Sequence, residues 1–192
     1  MIALAACSVA VLAQGSEALP VQYGDNGHYY EYISASVDFD TALAQAAGMS
    51  YLGMQGYLAT VTSAGESAFV AALHTGSGIG SSYWLGGSDA ASEETWAWIT
   101  GPEAGQIFYQ AGTCLTFCNW EPGEPNNSNT ENALHGFTWW NSNDTWNDLG
   151  GGSTLSYVVE YSAATVPVPA GMALLLSGLG GLAAIRRRRS RR

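Results

Sequence analysis

The sequence NWEPGEPN occupies residues 119–126, and a second polar segment, WND, occupies residues 146–148. Carboxylates and side-chain amides recur in both segments and in the chain between them. These groups offer hard oxygen atoms, which Ca²⁺ prefers in proteins, and neither segment contains a Cys or His that would favour Zn²⁺. The pattern therefore predicts a calcium site, and its candidate ligands are Glu124, Asn126, Glu131, Asn147 and Asp148.

The same residue types also form solvated turns, since Asp, Asn, Gly and Pro are common turn residues. For an isolated Glu-Pro-Asn tripeptide, such a turn is the simpler interpretation. Pro125 lies between two of the candidate ligands, and a cis Glu124–Pro125 bond would let both side chains face one ion. Only about 5–6% of X-Pro bonds in folded proteins are cis, so a cis bond here would be a specific feature of the site.

Composition and charge restrict the class of protein. The chain has 192 residues, enough for one domain with terminal extensions. All six cationic residues lie within residues 186–192, so residues 1–185 contain no Lys and no Arg. A body without cationic side chains cannot neutralise phosphates, which argues against nucleic-acid binding. Its sixteen carboxylates instead favour metal cations and neutral ligands.

Residues 1–20 are apolar and small, as in the hydrophobic and cleavage regions of a secretory signal. No basic segment precedes them, so a truncated start is one interpretation. The segment LAAC at residues 4–7 also fits a lipoprotein box. We predict a signal peptide over residues 1–20.

The C-terminal segment has three parts. VPVPA at residues 166–170 begins a stretch of 20 uncharged residues that ends at residue 185, and RRRRSRR follows. As a helix, 20 residues span about 30 Å, just enough to cross a bilayer, with the arginines on the cytoplasmic side. The sequence therefore predicts a transmembrane helix, although a buried core helix has the same hydrophobicity.

This end of the chain resembles the PEP-CTERM type of bacterial sorting signal in its VPLPA-like variant. The resemblance implies processing by an exosortase-type membrane enzyme in a Gram-negative bacterium that makes exopolysaccharide. We therefore expect residues 163–192 to be a sorting signal. The protein would be exported, transiently anchored in the inner membrane, and then located at the cell surface or outside the cell.

Residues 21–162 are predicted to form one α+β domain. A capping-box pattern, S-x-x-E at residues 63–66, predicts the start of a helix that continues to residue 72. Residues 39–49 predict another helix, for which Ser36 and Asp38 are both candidate caps. Residues 100–143 show no regular pattern and are predicted to be an irregular loop. Aromatic and β-branched segments predict strands at residues 29–33, 57–61, 83–87, 95–99, 145–148 and 155–161.

Five segments over residues 29–161 resemble a C-type lectin domain, and they occur in the family's order. They are WLGG at 84–87, ETWAW at 94–98, the NW…EPN loop at 119–126, WND at 146–148 and YVVEY at 157–161. The resemblance implies a double-loop α+β fold with two helices, small antiparallel sheets and a long irregular ligand loop.

The resemblance also implies a role for the five candidate ligands: Glu124, Asn126, Glu131, Asn147 and Asp148 would bind a Ca²⁺ that holds two vicinal hydroxyls of a sugar. In this family, E-P-N resembles the mannose, glucose and fucose type of site, whereas Q-P-D marks the galactose type.

The chain departs from the family in two respects. The usual two disulfides are missing, because Ala133 and Val159 stand at two of the expected cysteine positions and no cysteine lies near Ala46. The Asn126–Glu131 spacing is about one residue short, which leaves the role of Glu131 open, and Asn132 stands where an auxiliary calcium site often has Asp.

Other residues leave alternatives open. Cys114 and Cys118 flank the predicted loop, and export to an oxidising compartment favours a disulfide over a zinc half-site or two free thiols. His28, His74 and His135 lack metal-ligand spacing and are predicted to be structural. Trp139 and Trp140 could stack on a sugar or pack in the core, and Asp144 is a further candidate ligand.

We expect an exported, non-enzymatic, calcium-dependent carbohydrate-binding protein of the cell envelope or exopolysaccharide matrix. Its partners would be a polysaccharide or glycan and the sorting enzyme. The alternative is an adhesive or structural matrix protein that uses the fold for protein contacts without binding sugar. A glycosidase is disfavoured, because the carboxylates it would need are better explained as calcium ligands.

Overall fold

The computed structural model describes residues 19–74, 82–137 and 145–163. The predicted signal peptide lies almost entirely outside this range, as do the predicted transmembrane helix and Arg tail, Trp139, Trp140 and Asp144. Across the described parts of the chain, no helix has the length and apolar character needed to span a membrane.

The described residues form two helices and eleven strands. The helices are α1 (Phe39–Gly48) and α2 (Ala64–His74). The strands are β1 (Val21–Gln22), β2 (Tyr29–Val37), β3 (Ser50–Tyr51), β4 (Met54–Leu58), β5 (Ser82–Ser88), β6 (Thr95–Trp98), β7 (Ile107–Gln110), β8 (Thr113–Cys114), β9 (Ala133–Phe137), β10 (Thr145–Leu149) and β11 (Leu155–Tyr161).

Both helices begin at side-chain caps. The Asp38 carboxylate accepts a hydrogen bond of 2.8 Å from the backbone N–H of Thr41, so Asp38 rather than Ser36 caps α1. At α2 the Ser63 hydroxyl accepts from the backbone N–H of Glu66 at 3.2 Å. The Glu66 carboxylate in turn accepts from the backbone N–H of Thr62 at 2.7 Å, one residue before the position a capping box uses.

Strand β11 connects the parts of the sheet. It pairs antiparallel with β2 and with β4, and parallel with β5 through Tyr157 and Trp84. Strand β5 also pairs antiparallel with β6 and β9, and β9 forms a ladder with β10. The α+β double-loop fold predicted from the sequence is confirmed, with one parallel pair added to the expected antiparallel ones.

The stretch predicted to be wholly irregular, residues 100–143, contains three strands, and that prediction was wrong. Strand β8 has only two residues, and the sequence of β7, IFYQ, does not alternate between apolar and polar residues. In β9 the four residues Ala133–Gly136 are all buried, so no polar residues alternate with the apolar ones. Buried strands lose the period-2 signal on which sequence-based assignment depends.

The glycines of the WLGG segment are required by close packing. A Cβ atom at Gly86 would lie 2.6 Å from the backbone oxygen of Leu58, and one at Gly87 would lie 2.8 Å from the Leu134 side chain. Both distances are shorter than carbon atoms tolerate. The two glycines therefore let β5 approach β4 and β9 closely.

An aromatic cluster supports the end of the sheet where the polar loop begins. The rings of Trp98 and Phe108 stack with centroids 4.4 Å apart, and Trp146 meets Trp98 edge-on at 5.8 Å. Trp120 packs against the same cluster, with its ring 5.0 Å from Trp96. The half-buried ring of Trp120 and the buried rings around it form a packed base for the start of the polar loop.

Candidate functional site

The two polar segments are joined at their tryptophans. Trp120 and Trp146 form a β-bridge, in which the backbone N–H of Trp146 donates to Asn119 at 2.7 Å and that of Glu121 donates to Trp146 at 2.9 Å. The start of the loop is thus held beside β10, which carries Asn147 and Asp148. Segments more than twenty residues apart in the chain become neighbours in space.

The side chain of Asp148 makes a second connection between the loop and β10. Its side chain is fully buried, and its two carboxylate oxygens accept hydrogen bonds from the backbone N–H groups of Asn126, at 3.2 Å, and Asn127, at 2.6 Å. Bonds from N–H groups to an ionised carboxylate are stronger than neutral ones. Asp148 therefore holds the Glu124–Asn126 segment against β10.

The loop itself is shaped by local contacts. The Glu124–Pro125 peptide bond is cis. The Asn126 side-chain oxygen accepts from the backbone N–H of Ser128 at 2.8 Å, and a carboxylate oxygen of Glu131 accepts from the same N–H at 3.1 Å. Glu131 thus folds back onto the loop that contains Asn126, which brings it to the edge of the site.

The carboxylates of the site repel one another. Burial raises the pKa of Glu124, and the negative charge of Asp148 raises it further. Burial and Asp148 also raise the pKa of Glu131. Crowded carboxylates that resist ionisation are stabilised in the charged form by a nearby cation.

Two buried oxygens in this region, Glu124 Oε2 and Asn147 Oδ1, have no hydrogen-bond partner within the described residues. Such atoms are costly to bury unless another group satisfies them. Both are hard oxygen donors of the kind that Ca²⁺ selects. The donor chemistry and these unpartnered oxygens fit a calcium ion.

The structure brings some of the predicted ligands together and leaves others apart. The backbone N–H of Asn126 donates to Asp148, and the charge of Asp148 raises the pKa of both Glu124 and Glu131. Asn147 directly precedes Asp148 in the same strand. Within residues 19–74, 82–137 and 145–163, however, no three His, Cys, Asp or Glu side chains converge in a metal-binding group. The three carboxylates of the predicted set therefore do not close around a point in this conformation.

A cleft with a volume of about 380 Å³ opens beside the loop. Asn126, Asn127 and Asp148 line one side of it, and the turn between β5 and β6 lines the other with Asp89 and Glu93. Asn127 bridges the two sides, because its side-chain amide donates to Glu93 at 2.7 Å.

Asp89 belongs to the site but was missed by sequence reasoning. It is 2% exposed, and one of its oxygens has no partner within the described residues. Burial and the charge of Glu93 raise its pKa to about 6. The signal was the acidic segment SDAASEE directly after WLGG, but the tertiary fold was needed to place it beside a loop more than thirty residues away.

The other candidate residues have structural contacts. Cys114 and Cys118 form a disulfide with Cα atoms 5.9 Å apart, and Cys118 packs against the aromatic cluster. His28 pairs with the buried carboxylate of Glu160 at 2.6 Å, and His135 lies next to Asn147. The side chain of His74 lies outside the described part of the chain.

Residues 45–160 match the family model of the lectin C-type domain. This match spans more than half of the chain, and the protein belongs to the C-type lectin domain family. Members of this family bind carbohydrate without catalysing a reaction, and the expectation of a non-enzymatic protein agrees with that membership.

Two relatives and one solved structure illustrate the similarity. Halomucin from Haloquadratum walsbyi is 40% identical over 147 residues, which cover 73% of this chain and 2% of halomucin. An alpha-N-acetylgalactosamine-specific lectin from Patiria pectinifera is 25% identical over 143 residues, which cover 71% of this chain and 76% of that lectin. The C-type lectin CEL-I from Cucumaria echinata superimposes with a TM-score of 0.60 at 20% identity, covering 79% of this chain and 99% of CEL-I.

This chain spans 2%, 54% and 23% of the lengths of three curated relatives that it matches at 32–40% identity. The structural similarity at 20% identity concerns the fold alone. Family membership and fold are thus shown, whereas the bound ion and the sugar are matters of inference.

Proposed function

We propose that this protein is a calcium-dependent carbohydrate-binding protein whose E-P-N site takes sugars of the mannose, glucose and fucose type. The observation that supports this most directly is the attachment of the Glu124–Asn126 segment to β10 through the buried carboxylate of Asp148. This contact places amide and carboxylate oxygens from both segments at one end of the sheet. The side-chain oxygens of Glu124 and Asn147 that have no hydrogen-bond partner are free to bind a cation.

In the proposed site, Glu124, Asn126, Asn147 and Asp148 would hold the ion, with Glu131 at its margin. Bound Ca²⁺ would supply coordination positions for two vicinal hydroxyls of a sugar. The carboxylates of Glu124 and Glu131 accept hydrogen bonds from those hydroxyls, and the amide N–H groups of Asn126 and Asn147 donate to them. Each carboxylate–amide pair orients one hydroxyl, so the order of the pairs selects the stereochemistry of the diol.

The binding of a single sugar is expected to be weak. Water competes for every hydrogen bond, so the dissociation constant should be about 1 mM, which corresponds to roughly 4 kcal/mol. Firm attachment to a polysaccharide would then require several linked copies of the domain.

Calorimetry and a glycan array test this proposal. Titration with Ca²⁺ should show one specific site, and the array should report mannose, glucose or fucose ligands with Ca²⁺ and none with EDTA. Failure to bind Ca²⁺ at millimolar concentration would refute the proposal. A melting temperature that rises with Ca²⁺, without any response on the array, would instead favour an adhesive or structural matrix protein.

A double substitution tests the choice of sugar. Glu124→Gln with Asn126→Asp exchanges the carboxylate and the amide while it preserves side-chain size. This variant should lose mannose binding and gain galactose binding on the same array. An unchanged profile would mean that these two side chains do not select the sugar. The Patiria pectinifera relative is by name specific for a galactosamine derivative, so both sugar classes belong on the array.

We also propose that the protein is exported and associated with the cell envelope or the exopolysaccharide matrix. Support comes from the sequence of the last thirty residues, which resembles a sorting signal processed by an exosortase-type enzyme. Expression in a host with and without that enzyme, followed by mass spectrometry of the mature C-terminus, tests it. Retention of the Arg tail in the host with the enzyme would contradict the proposal.

A further inference from the structure

Asn147 has a partner on the neighbouring strand. In the β9–β10 ladder Asn147 lies directly opposite His135, and Asn147 Nδ2 lies 3.1 Å from His135 Nε2. His135 is 6% exposed, so water does not compete for this contact. The imidazole is held by two aromatic neighbours, Trp84 edge-on at 6.2 Å and Phe137 at 5.5 Å.

The contact with His135 fixes the orientation of the Asn147 side-chain amide. The Asn147 nitrogen can only donate, so His135 Nε2 must be the unprotonated acceptor. A ring that accepts a hydrogen bond at Nε2 is neutral and carries its hydrogen on Nδ1.

A reversed amide would present the wrong atom to a cation. If Asn147 were flipped, its N–H₂ group would take the place of Oδ1, and an amide nitrogen that carries two hydrogens does not ligate Ca²⁺. In the orientation found here, Oδ1 is buried and without a hydrogen-bond partner, so it is available for a cation. The neutral acceptor on β9 therefore favours the amide orientation that can serve as a ligand.

We propose that His135 is a positioning residue of the calcium site: by accepting a hydrogen bond from the Asn147 amide, it keeps the Asn147 oxygen directed toward the ion. This inference rests on the proposed calcium-dependent function. It assigns to a strand residue outside the E-P-N and W-N-D segments a role in cation affinity, carried by the hydrogen bond and the unpartnered oxygen together.

Two substitutions of His135 separate its hydrogen bond from its packing. His135→Phe keeps an aromatic ring but removes the acceptor, whereas His135→Gln places an amide oxygen close to the position of Nε2. Loss of a partner that orients a metal ligand typically weakens affinity by about 10–100-fold. In Ca²⁺ titrations by calorimetry we expect that loss for His135→Phe and recovery of most of the affinity for His135→Gln.

The controls distinguish positioning from folding. Melting temperatures in EDTA report any general destabilisation by His135→Phe without calcium. In an Asn147→Ala background, His135→Phe should cause little further loss of affinity, because the residue it orients is absent. If His135→Phe lowered Ca²⁺ affinity equally with and without Asn147, the proposal would be overturned. Equal losses of affinity for His135→Phe and His135→Gln would also overturn it.

A measurement without calcium tests the hydrogen bond itself. Long-range ¹H–¹⁵N spectra of the wild-type protein in EDTA should show His135 as the neutral tautomer with its hydrogen on Nδ1; a hydrogen on Nε2 would overturn the inference. Wild-type protein that binds Ca²⁺ while His135→Phe binds equally well would refute the positioning role alone. Wild-type protein that binds no Ca²⁺ would refute the proposed function.

Discussion

Asp148 shows how one side chain serves both the fold and the site. Its buried carboxylate accepts two backbone hydrogen bonds from the loop, and it is also a candidate ligand. A group with both roles cannot be changed without affecting both stability and binding. The sequence indicated the second role through the W-N-D segment, but the first depends on the approach of a distant loop.

We expect Asp148→Asn to destabilise the protein even in EDTA. The substituted amide can accept one of the two backbone N–H bonds but leaves the other buried donor facing an N–H₂ group, at a cost of about 1–3 kcal/mol. Ca²⁺ affinity should also fall by at least an order of magnitude. Urea unfolding in EDTA and calorimetry with Ca²⁺ measure the two effects separately.

The matched control is Asp40→Asn, which makes the same chemical change at an exposed position in the first turn of α1. It should change stability by less than about 1 kcal/mol and leave Ca²⁺ binding intact. Comparable effects of the two substitutions would show that Asp148 has no special role.

The His28–Glu160 pair makes stability depend on pH. Its hydrogen bond to Glu160 raises the pKa of His28 above the ordinary value of 6.5, and burial only partly opposes this. A raised pKa means that the folded state binds the proton more tightly, so the stabilisation is complete below pH 6.5 and is lost as pH rises through the folded pKa. The charges of the Glu103 and Glu66 carboxylates also raise the pKa of His28.

We therefore expect the wild-type protein to lose stability as the pH rises above 6.5 and through the raised pKa of His28, and His28→Gln to reduce that loss. Gln can still donate a hydrogen bond to Glu160 but does not titrate. Denaturant unfolding in EDTA across this range measures the difference. A His28→Gln variant with the same pH dependence as wild type would show that this pair is not the cause.

At the scale of elements, the beginning of α1 was only partly determined by the sequence. Ser36 and Asp38 were both suitable caps, and the structure selects Asp38. Ser36 instead lies in β2, where its hydroxyl donates to Thr154 at 3.1 Å. Strand β2 continues to Val37, which leaves Asp38 as the first residue able to accept from the helix N-terminus.

The two candidate caps offer a paired test. Asp38→Ala should destabilise the protein by about 1 kcal/mol, because the N–H of Thr41 loses its acceptor. Ser36→Ala removes an exposed hydrogen bond and should cost less than about 0.5 kcal/mol. Thermal unfolding of both variants measures the effect. A larger loss for Ser36→Ala would contradict this assignment of the cap.

Strands differ in how far sequence alone predicts them. Thr95–Trp98 alternates half-buried and buried residues, and this strand was predicted within one residue. Ala133–Phe137 has no alternation, because almost every residue of the strand is buried. The missed strand is the one that carries His135, so the error also hid the contact between His135 and Asn147.

At the scale of the whole molecule, charge imbalance is the main electrostatic feature. Residues 1–185 carry sixteen carboxylates without any Lys or Arg. Among the described residues the one ion pair is that between His28 and Glu160. Carboxylates that lack cationic partners repel one another, and this repulsion opposes the compact state.

We expect the melting temperature in EDTA to rise with NaCl between about 0.01 M and 1 M, because the screening length falls from about 30 Å to about 3 Å over that range. Millimolar Ca²⁺ should raise it further than NaCl at equal ionic strength if a specific site exists. Mg²⁺ at the same concentration is the control, since it demands a stricter octahedral geometry. A melting temperature that falls with NaCl would contradict dominant self-repulsion.

The class of fold and most of the chemistry could be predicted from local patterns of residues. Segments such as WLGG and W-N-D, which occur in the family's order, suffice to predict the fold. Each of them meets a local requirement of packing or strand pairing. The five candidate ligands followed from residue type together with the resemblance to the C-type lectin domain, because hard oxygens define what they can bind and the resemblance assigns them to one site. The absence of cations before residue 186 likewise followed from the sequence without any structure.

Only the tertiary structure decided which of these groups meet. It brought Asp89 to the same cleft as Asn126, fastened the loop to Asp148 and placed His135 opposite Asn147. These contacts depend on strand register and on which side of a strand each residue faces. Register is set by the packing of the whole sheet, so no local pattern of residues contains it.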